Sequence, residues 1–135
     1  MPKIRNEQEL LSYNNDDNYM DKPQQDFFQH RLENDKSDLI HRIEEVKAEI
    51  AAMKVETGDE NDKASIDEIV NRNLILVQRQ TKLLHKIESA LNRLAVGEFG
   101  YCELTGNPIG VHRLLARPTT TLSIEAKEAE ELRER

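Results

Sequence analysis

The sequence holds one cysteine, Cys102, no tryptophan, and aromatic residues at only 4% of its 135 positions. A lone cysteine excludes a disulfide within the chain. So few aromatics leave little material for a large closed core, because these rings bury more area than other side chains. No run of about 18 apolar residues is present, so no membrane-spanning helix is expected. The opening Met1-Pro2-Lys3-Ile4-Arg5 has neither an apolar core nor a small-residue cleavage site of the secretory kind. The cytoplasm is therefore the expected location. Lys and Arg number 19 against 26 Asp and Glu, a net charge of −7. That balance counts against nucleic-acid binding through the whole surface, which needs clustered cations. Enzyme signatures are missing too. There is no glycine-rich phosphate loop, Cys102 has no histidine close by in sequence, and His30, His41 and His85 lie among polar neighbours. The chain reads as a non-enzyme.

What is abundant is charge, at 33% of residues, above the usual quarter or so. With so few aromatics, this favours long solvated helices over a closed globule. Residues 1–20 read as an N-terminal arm. Asn14-Asn15-Asp16-Asp17-Asn18 favours turns over helix, so the arm is expected to be loosely ordered, with Leu10, Leu11, Tyr13, Tyr19 and Met20 as apolar handholds.

A helical hairpin is expected over 21–96. Asp21-Lys22-Pro23 supplies an acidic cap candidate and a proline for the first turn. Leu32, Leu39, Val46 and Met53 then recur at intervals of seven, with Ile43 and Ile50 between them. This is a heptad seam, narrower than the stripe of a globular surface helix. The pattern lapses at 55–65, where Gly58 and a run of polar residues mark a turn, and Ser65 precedes Glu68 at capping-box spacing. The second seam is Ile66, Asn73, Gln80, Ile87 and Leu94, interleaved with Ile69, Leu76, Leu83 and Ala90, and Gly97 stops it. Asn73 and Gln80 suit a seam that is half solvated. From 97 to 135 the chain is punctuated by Gly100, Gly106, Pro108, Gly110 and Pro118. Turns are expected there, with room for a small β-hairpin, before a charged helix from about Ser123 to Arg133. The fold class is mainly α: a long antiparallel coiled-coil hairpin, then a small globular region with a C-terminal helix.

The segment Phe99-Gly100-Tyr101-Cys102, followed by Gly106, Ile109, Arg113-Leu114 and Ala116-Arg117-Pro118, resembles the zinc-finger region of the DksA/TraR family. The family's pattern runs FGYC-x-x-CG-x-x-I, then RL-x-ARP, then C-x-x-C at the final helix. Upstream, Asp59-Glu60-Asn61-Asp62-Lys63-Ala64 resembles the family's D-x-x-D-x-A hairpin tip. The likeness spans roughly residues 19–135. One departure stands out: the four metal-ligand positions carry Cys102, Thr105, Ser123 and Ala126. Structural zinc needs four thiolate or imidazole ligands, so no structural zinc is expected, with or without His112. Packing among Phe99, Tyr101, Leu104, Ile109, Val111, Leu114, Leu115, Leu122 and Ile124, with Ser123 as helix cap, is the expected replacement.

The resemblance implies a cytoplasmic, monomeric transcription regulator. It would bind bacterial RNA polymerase through the secondary channel and act with the alarmone (p)ppGpp, without sequence-specific DNA contact and without a cofactor of its own. It further implies that Asp59, Asp62 and Ala64 form a tip reaching the polymerase active centre, that Arg79 contacts polymerase, and that Leu83, Lys86, Arg117 and Lys127 help hold (p)ppGpp against it. From the residues themselves, Arg79, Lys82 and Lys86 share one helical face. The alternative is a generic coiled-coil adaptor that keeps the scaffold without binding polymerase. The retained tip acids argue against it.

Overall fold

The computed structural model describes residues 3–55 and 60–134. Among these, five helices follow one another: α1 (Glu7–Tyr13), α2 (Lys22–Val55), α3 (Glu60–Val96), α4 (Val111–Ala116) and α5 (Ile124–Arg133). The small β-hairpin reduces to a single antiparallel bridge, Tyr101–Pro108, and no strand forms among the described residues. The chain divides into two compact units, one of Met1–Glu33 with Ile87–Arg135 and one of Asn34–Lys86.

The Asn34–Lys86 unit is a helical hairpin made from parts of α2 and α3. Leu39, Ile43 and Ile50 are buried from the α2 side and Val70 from the α3 side, as the heptad spacing requires. Two expectations need correction here. Ser65 does not open the second helix: α3 starts at Glu60, so Ser65 lies inside it, and residues 56–59 of the expected 55–65 turn lie outside the described residues. The interleaved column of the second seam is also displaced by one residue in its middle, although Ile69 is half-buried and Ala90 buried as expected. Val70 is buried and Val77 and Leu84 are half-buried, whereas Leu76 and Leu83 are exposed at 37% and 43%. Both columns are apolar, and either alternates with Ile66, Asn73 and Gln80 to make a heptad, so periodicity could not choose between them. Asn73 and Gln80 are half-buried.

The other unit holds most of the core. Phe28, Leu10, Leu32 and Leu114 are fully buried, and Phe28 meets Phe99 with ring centroids 5.3 Å apart. α2 begins as expected: Pro23 sits in its first turn, and Asp21 Oδ1 accepts the Gln24 N–H at 3.4 Å. α3 ends at a glycine for a physical reason. Gly97 takes φ +80°, a conformation that costs glycine little. It lets the Glu98 N–H reach the Arg93 carbonyl at 2.9 Å and the Gly97 N–H reach that of Leu94 at 3.3 Å. These are the paired bonds of a Schellman stop.

The arm is not loose. Asn6 caps α1 by accepting the Glu9 N–H at 2.9 Å, Leu10 is fully buried, and α1 packs on α4. The Asn/Asp run does turn, but as a tied turn. Asn15 Oδ1 accepts the N–H groups of Asp17 (2.8 Å) and Asn18 (3.0 Å), and the Gln24 amide donates to the Asn18 carbonyl (2.8 Å). Turn propensity was read correctly; tertiary burial of Leu10 and Gln24 then ordered it. The replacement core also differs in detail. Phe99, Ile109, Val111, Leu114 and Leu115 are buried, but Leu104 and Ile124 are exposed at 60% and 52%. Leu104 lies in the turn closed by the Gly106 N–H on the Cys102 carbonyl, and Ile124 is the first residue of α5. Replacing Phe28 by Ala removes the largest fully buried side chain, and about 3–5 kcal/mol of stability should go with it. Thermal and denaturant unfolding of the variant measure this.

Candidate functional site

The outward flank of α3 in the Asn34–Lys86 unit carries Arg72, Ile75, Leu76, Arg79, Lys82, Leu83 and Lys86, all exposed. Their spacing places them on one side of the helix, away from the Val70 and Val77 column. No Asp or Glu occurs from 69 to 87. Among the described residues none of these four cations forms an ion pair. Ile75 is 56% exposed between them. A cationic stripe with apolar side chains set into it suits a partner that is acidic and partly apolar. The chemistry is that of a protein surface more than of bare phosphates, which offer nothing for Ile75, Leu76 and Leu83 to bury against.

The sequence had placed Arg79, Lys82 and Lys86 on one face, with Leu83 named by the resemblance although the seam had turned it inward, and the structure brings those four together. It missed Arg72, Ile75 and Leu76. The carboxylate-free interval from 69 to 87 was the available signal. Asp59 and the side chain of Asp62 lie outside the described residues, and Ala64 is exposed near the start of α3. Arg117 and Lys127 belong to the other unit, both exposed. Arg117 is the C-cap residue of α4, and Lys127 stands 4.0 Å from Glu131 on α5. Arg113, by contrast, is committed, with its Nε donating to the Leu122 carbonyl at 2.9 Å.

The four positions of the finger pattern do converge, through hydrogen bonds. Cys102 is buried, and its sulfur accepts from the backbone and hydroxyl of Ser123 and from those of Thr105. Ser123 Oγ also accepts the Ala126 N–H at 3.2 Å, capping α5. The loop holding Cys102 and Thr105, the knuckle loop, is joined again to the segment before α5 where the Glu103 N–H meets the Thr121 carbonyl at 2.9 Å. This set does not fit a zinc ion. It offers one thiol, two hydroxyls already engaged with it, and an alanine methyl, and no cluster of His, Cys, Asp and Glu suited to a metal exists among the described residues.

Burial alone pushes the Cys102 thiol up, but the donors from Ser123 and Thr105 outweigh it and pull the thiol down to about 6. A depressed acid stabilises the fold when ionised. Its contribution is complete above the ordinary thiol value of 9.0 and is lost as pH falls through about 6. The unfolding free energy of wild type relative to Cys102→Ser should therefore grow from pH 6 to pH 9 under reducing conditions. Paired denaturant titrations across that range measure the difference.

Comparison with known proteins agrees with these features. Residues 24–94 match the family described as DnaK suppressor protein DksA, N-terminal domain. Residues 97–132 match the prokaryotic dksA/traR C4-type zinc finger. The RNA polymerase-binding transcription factor DksA of Caulobacter vibrioides is 38% identical over 120 residues, covering 89% of this chain and 84% of its own. That of Escherichia coli K12 is 33% identical over 117 residues, covering 87% and 78%. The solved structure of transcription factor DksA2 from Pseudomonas aeruginosa superposes with a TM-score of 0.89 at 49% identity, covering 96% of this chain and 99% of that one. With both segments matched in order and the hairpin and finger in the same fold, the chain belongs to the DksA family.

Proposed function

We propose that this protein binds bacterial RNA polymerase and regulates transcription initiation, with the cationic–apolar stripe of α3 as a docking surface. The observation that carries this reading is that stripe: four exposed cations without ion pairs among the described residues, interleaved with Ile75, Leu76 and Leu83. The relatives named as RNA polymerase-binding factors support the choice of partner. The net charge of −7 counts against DNA binding through the whole surface.

Within this reading Arg79 contacts polymerase, while Asp59, Asp62 and Ala64 at the hairpin tip act near its active centre through the secondary channel. Two added carboxylates there compete for basic groups that otherwise hold phosphates, shifting the balance between open and closed complexes. Leu83, Lys86, Arg117 and Lys127 serve (p)ppGpp at the polymerase surface, the cations meeting its phosphates with charge-assisted hydrogen bonds. The protein works as a cytoplasmic monomer without catalysis of its own and without structural zinc. A finger that holds no metal and one thiol keeps its shape when zinc is scarce or thiols are oxidised.

Binding to polymerase core enzyme and initiation at a ribosomal promoter, with and without (p)ppGpp, test the scheme. Arg79→Ala should weaken binding on the order of tenfold, about 1.4 kcal/mol, and binding should weaken further as salt is raised. Asp59→Asn/Asp62→Asn should bind like wild type yet leave initiation unchanged. Absence of polymerase binding by wild type would reject the proposal in favour of a generic coiled-coil adaptor. Chelator should leave both binding and melting temperature as they were.

A further inference from the structure

The loop from Gly100 to Gly110 carries Cys102 and Thr105, yet its only pairing of strand type is the Tyr101–Pro108 bridge. Its two ends are held by one side chain distant in sequence. The Tyr19 hydroxyl donates to the Gly100 carbonyl at 2.6 Å and accepts the Gly110 N–H at 3.0 Å. A phenol can do both at once through a single oxygen. The Tyr19 ring also stands edge-on to Tyr101, with centroids 5.6 Å apart. Burial raises the Tyr19 pKa, which keeps the donor proton in place.

The next residue strengthens the case. Met20 is buried and takes φ +57°, the one positive φ among the described non-glycine residues. Such a conformation persists where the surroundings over-determine it. Here its side chain lies against Gly100, where an added Cβ would come within 2.9 Å of Met20 Cγ. A second hold comes from α3. The Arg93 guanidinium, 14% exposed, donates to the carbonyls of Glu98 (3.1 Å) and Tyr101 (2.6 Å) and pairs with Glu103 (2.9 Å).

We propose that the N-terminal arm is a strap: Tyr19, helped by Arg93, closes the Gly100–Gly110 loop and supplies the order that a metal supplies in a four-cysteine finger. The inference rests on the metal-free reading above. It makes the finger's local stability a property of the arm and of Arg93, independent of any metal ion. It also explains why an arm so polar in sequence is so firmly seated.

Hydrogen exchange on the full-length protein tests this, read at the amides of Cys102, Gly106, Ile109 and Gly110. In wild type these amides should be protected, and chelator should change nothing. Tyr19→Phe keeps the ring and removes the hydroxyl, and should lower their protection at least tenfold while the amides of α3 hold. Arg93→Lys, which keeps the charge and loses the fork, should loosen the same loop. Restoring ligands by Thr105→Cys/Ser123→Cys/Ala126→Cys in the Tyr19→Phe background, with zinc added, should return protection. Unchanged loop protection in both Tyr19→Phe and Arg93→Lys overturns the strap while leaving the metal-free reading intact. Loss of protection in wild type on adding chelator overturns the metal-free reading, and the strap with it.

Discussion

The contact of Phe28 with Phe99 is the constraint around which the Met1–Glu33 and Ile87–Arg135 unit is arranged. One ring comes from the first turns of α2 and the other from the segment just after α3 stops. With three phenylalanines in the whole chain and no tryptophan, Phe28 and Phe99 are the largest side chains of the buried core. Phe27 meets Phe28 edge-on at 5.3 Å, and the aliphatic residues Leu10, Leu32 and Leu114 complete the fully buried set. The Schellman stop at Gly97 matters for this reason. It turns the chain at the point that delivers Phe99 to Phe28, and α1, α4 and the knuckle loop assemble on the result.

Around that apolar centre the finger region relies on polar bonds with fully assigned partners. The Tyr19 hydroxyl ties the arm to the Gly100–Gly110 loop, the Arg93 fork ties α3 to the same loop, and the Ser123 hydroxyl caps α5. Bonds of this kind contribute only about 0.5–1.5 kcal/mol apiece on balance. Their larger effect is on uniqueness, because breaking one strands a buried donor or acceptor. Cys102 belongs to the same system. A site whose family pattern calls for four sulfurs uses its one sulfur as a hydrogen-bond acceptor.

In the Asn34–Lys86 unit α3 serves two purposes on two faces. Val70, Val77 and Leu84 face inward, and the flank with Ile75, Leu76 and Leu83 among four cations faces solvent. Exposed apolar side chains grouped in this way mark an interaction surface more often than isolated ones do. The same helix therefore carries both the packing of the hairpin and the surface proposed for docking.

The sequence by itself determined the two long helices and α5, because a heptad or a capped helix start needs only local spacing to declare itself. It did not determine the short α1 and α4, because a helix of six or seven residues depends on its packing. Leu39, Ile43 and Ile50 were legible as a seam, as were Gly97 as a stop and Ser123 as a cap, since each acts on its own backbone or its helical neighbours. That three of the four finger positions carry no cysteine was equally plain from Thr105, Ser123 and Ala126. Tertiary structure alone decided which of two apolar columns of α3 turned inward, leaving Leu76 and Leu83 in solvent. It also decided that the Asn- and Asp-rich arm would be seated, with Tyr19 on Gly100 and Gly110, more than 80 residues away. No local propensity encodes a hydrogen bond to a carbonyl so distant, and two equally apolar columns differ only once the partner helix is in place.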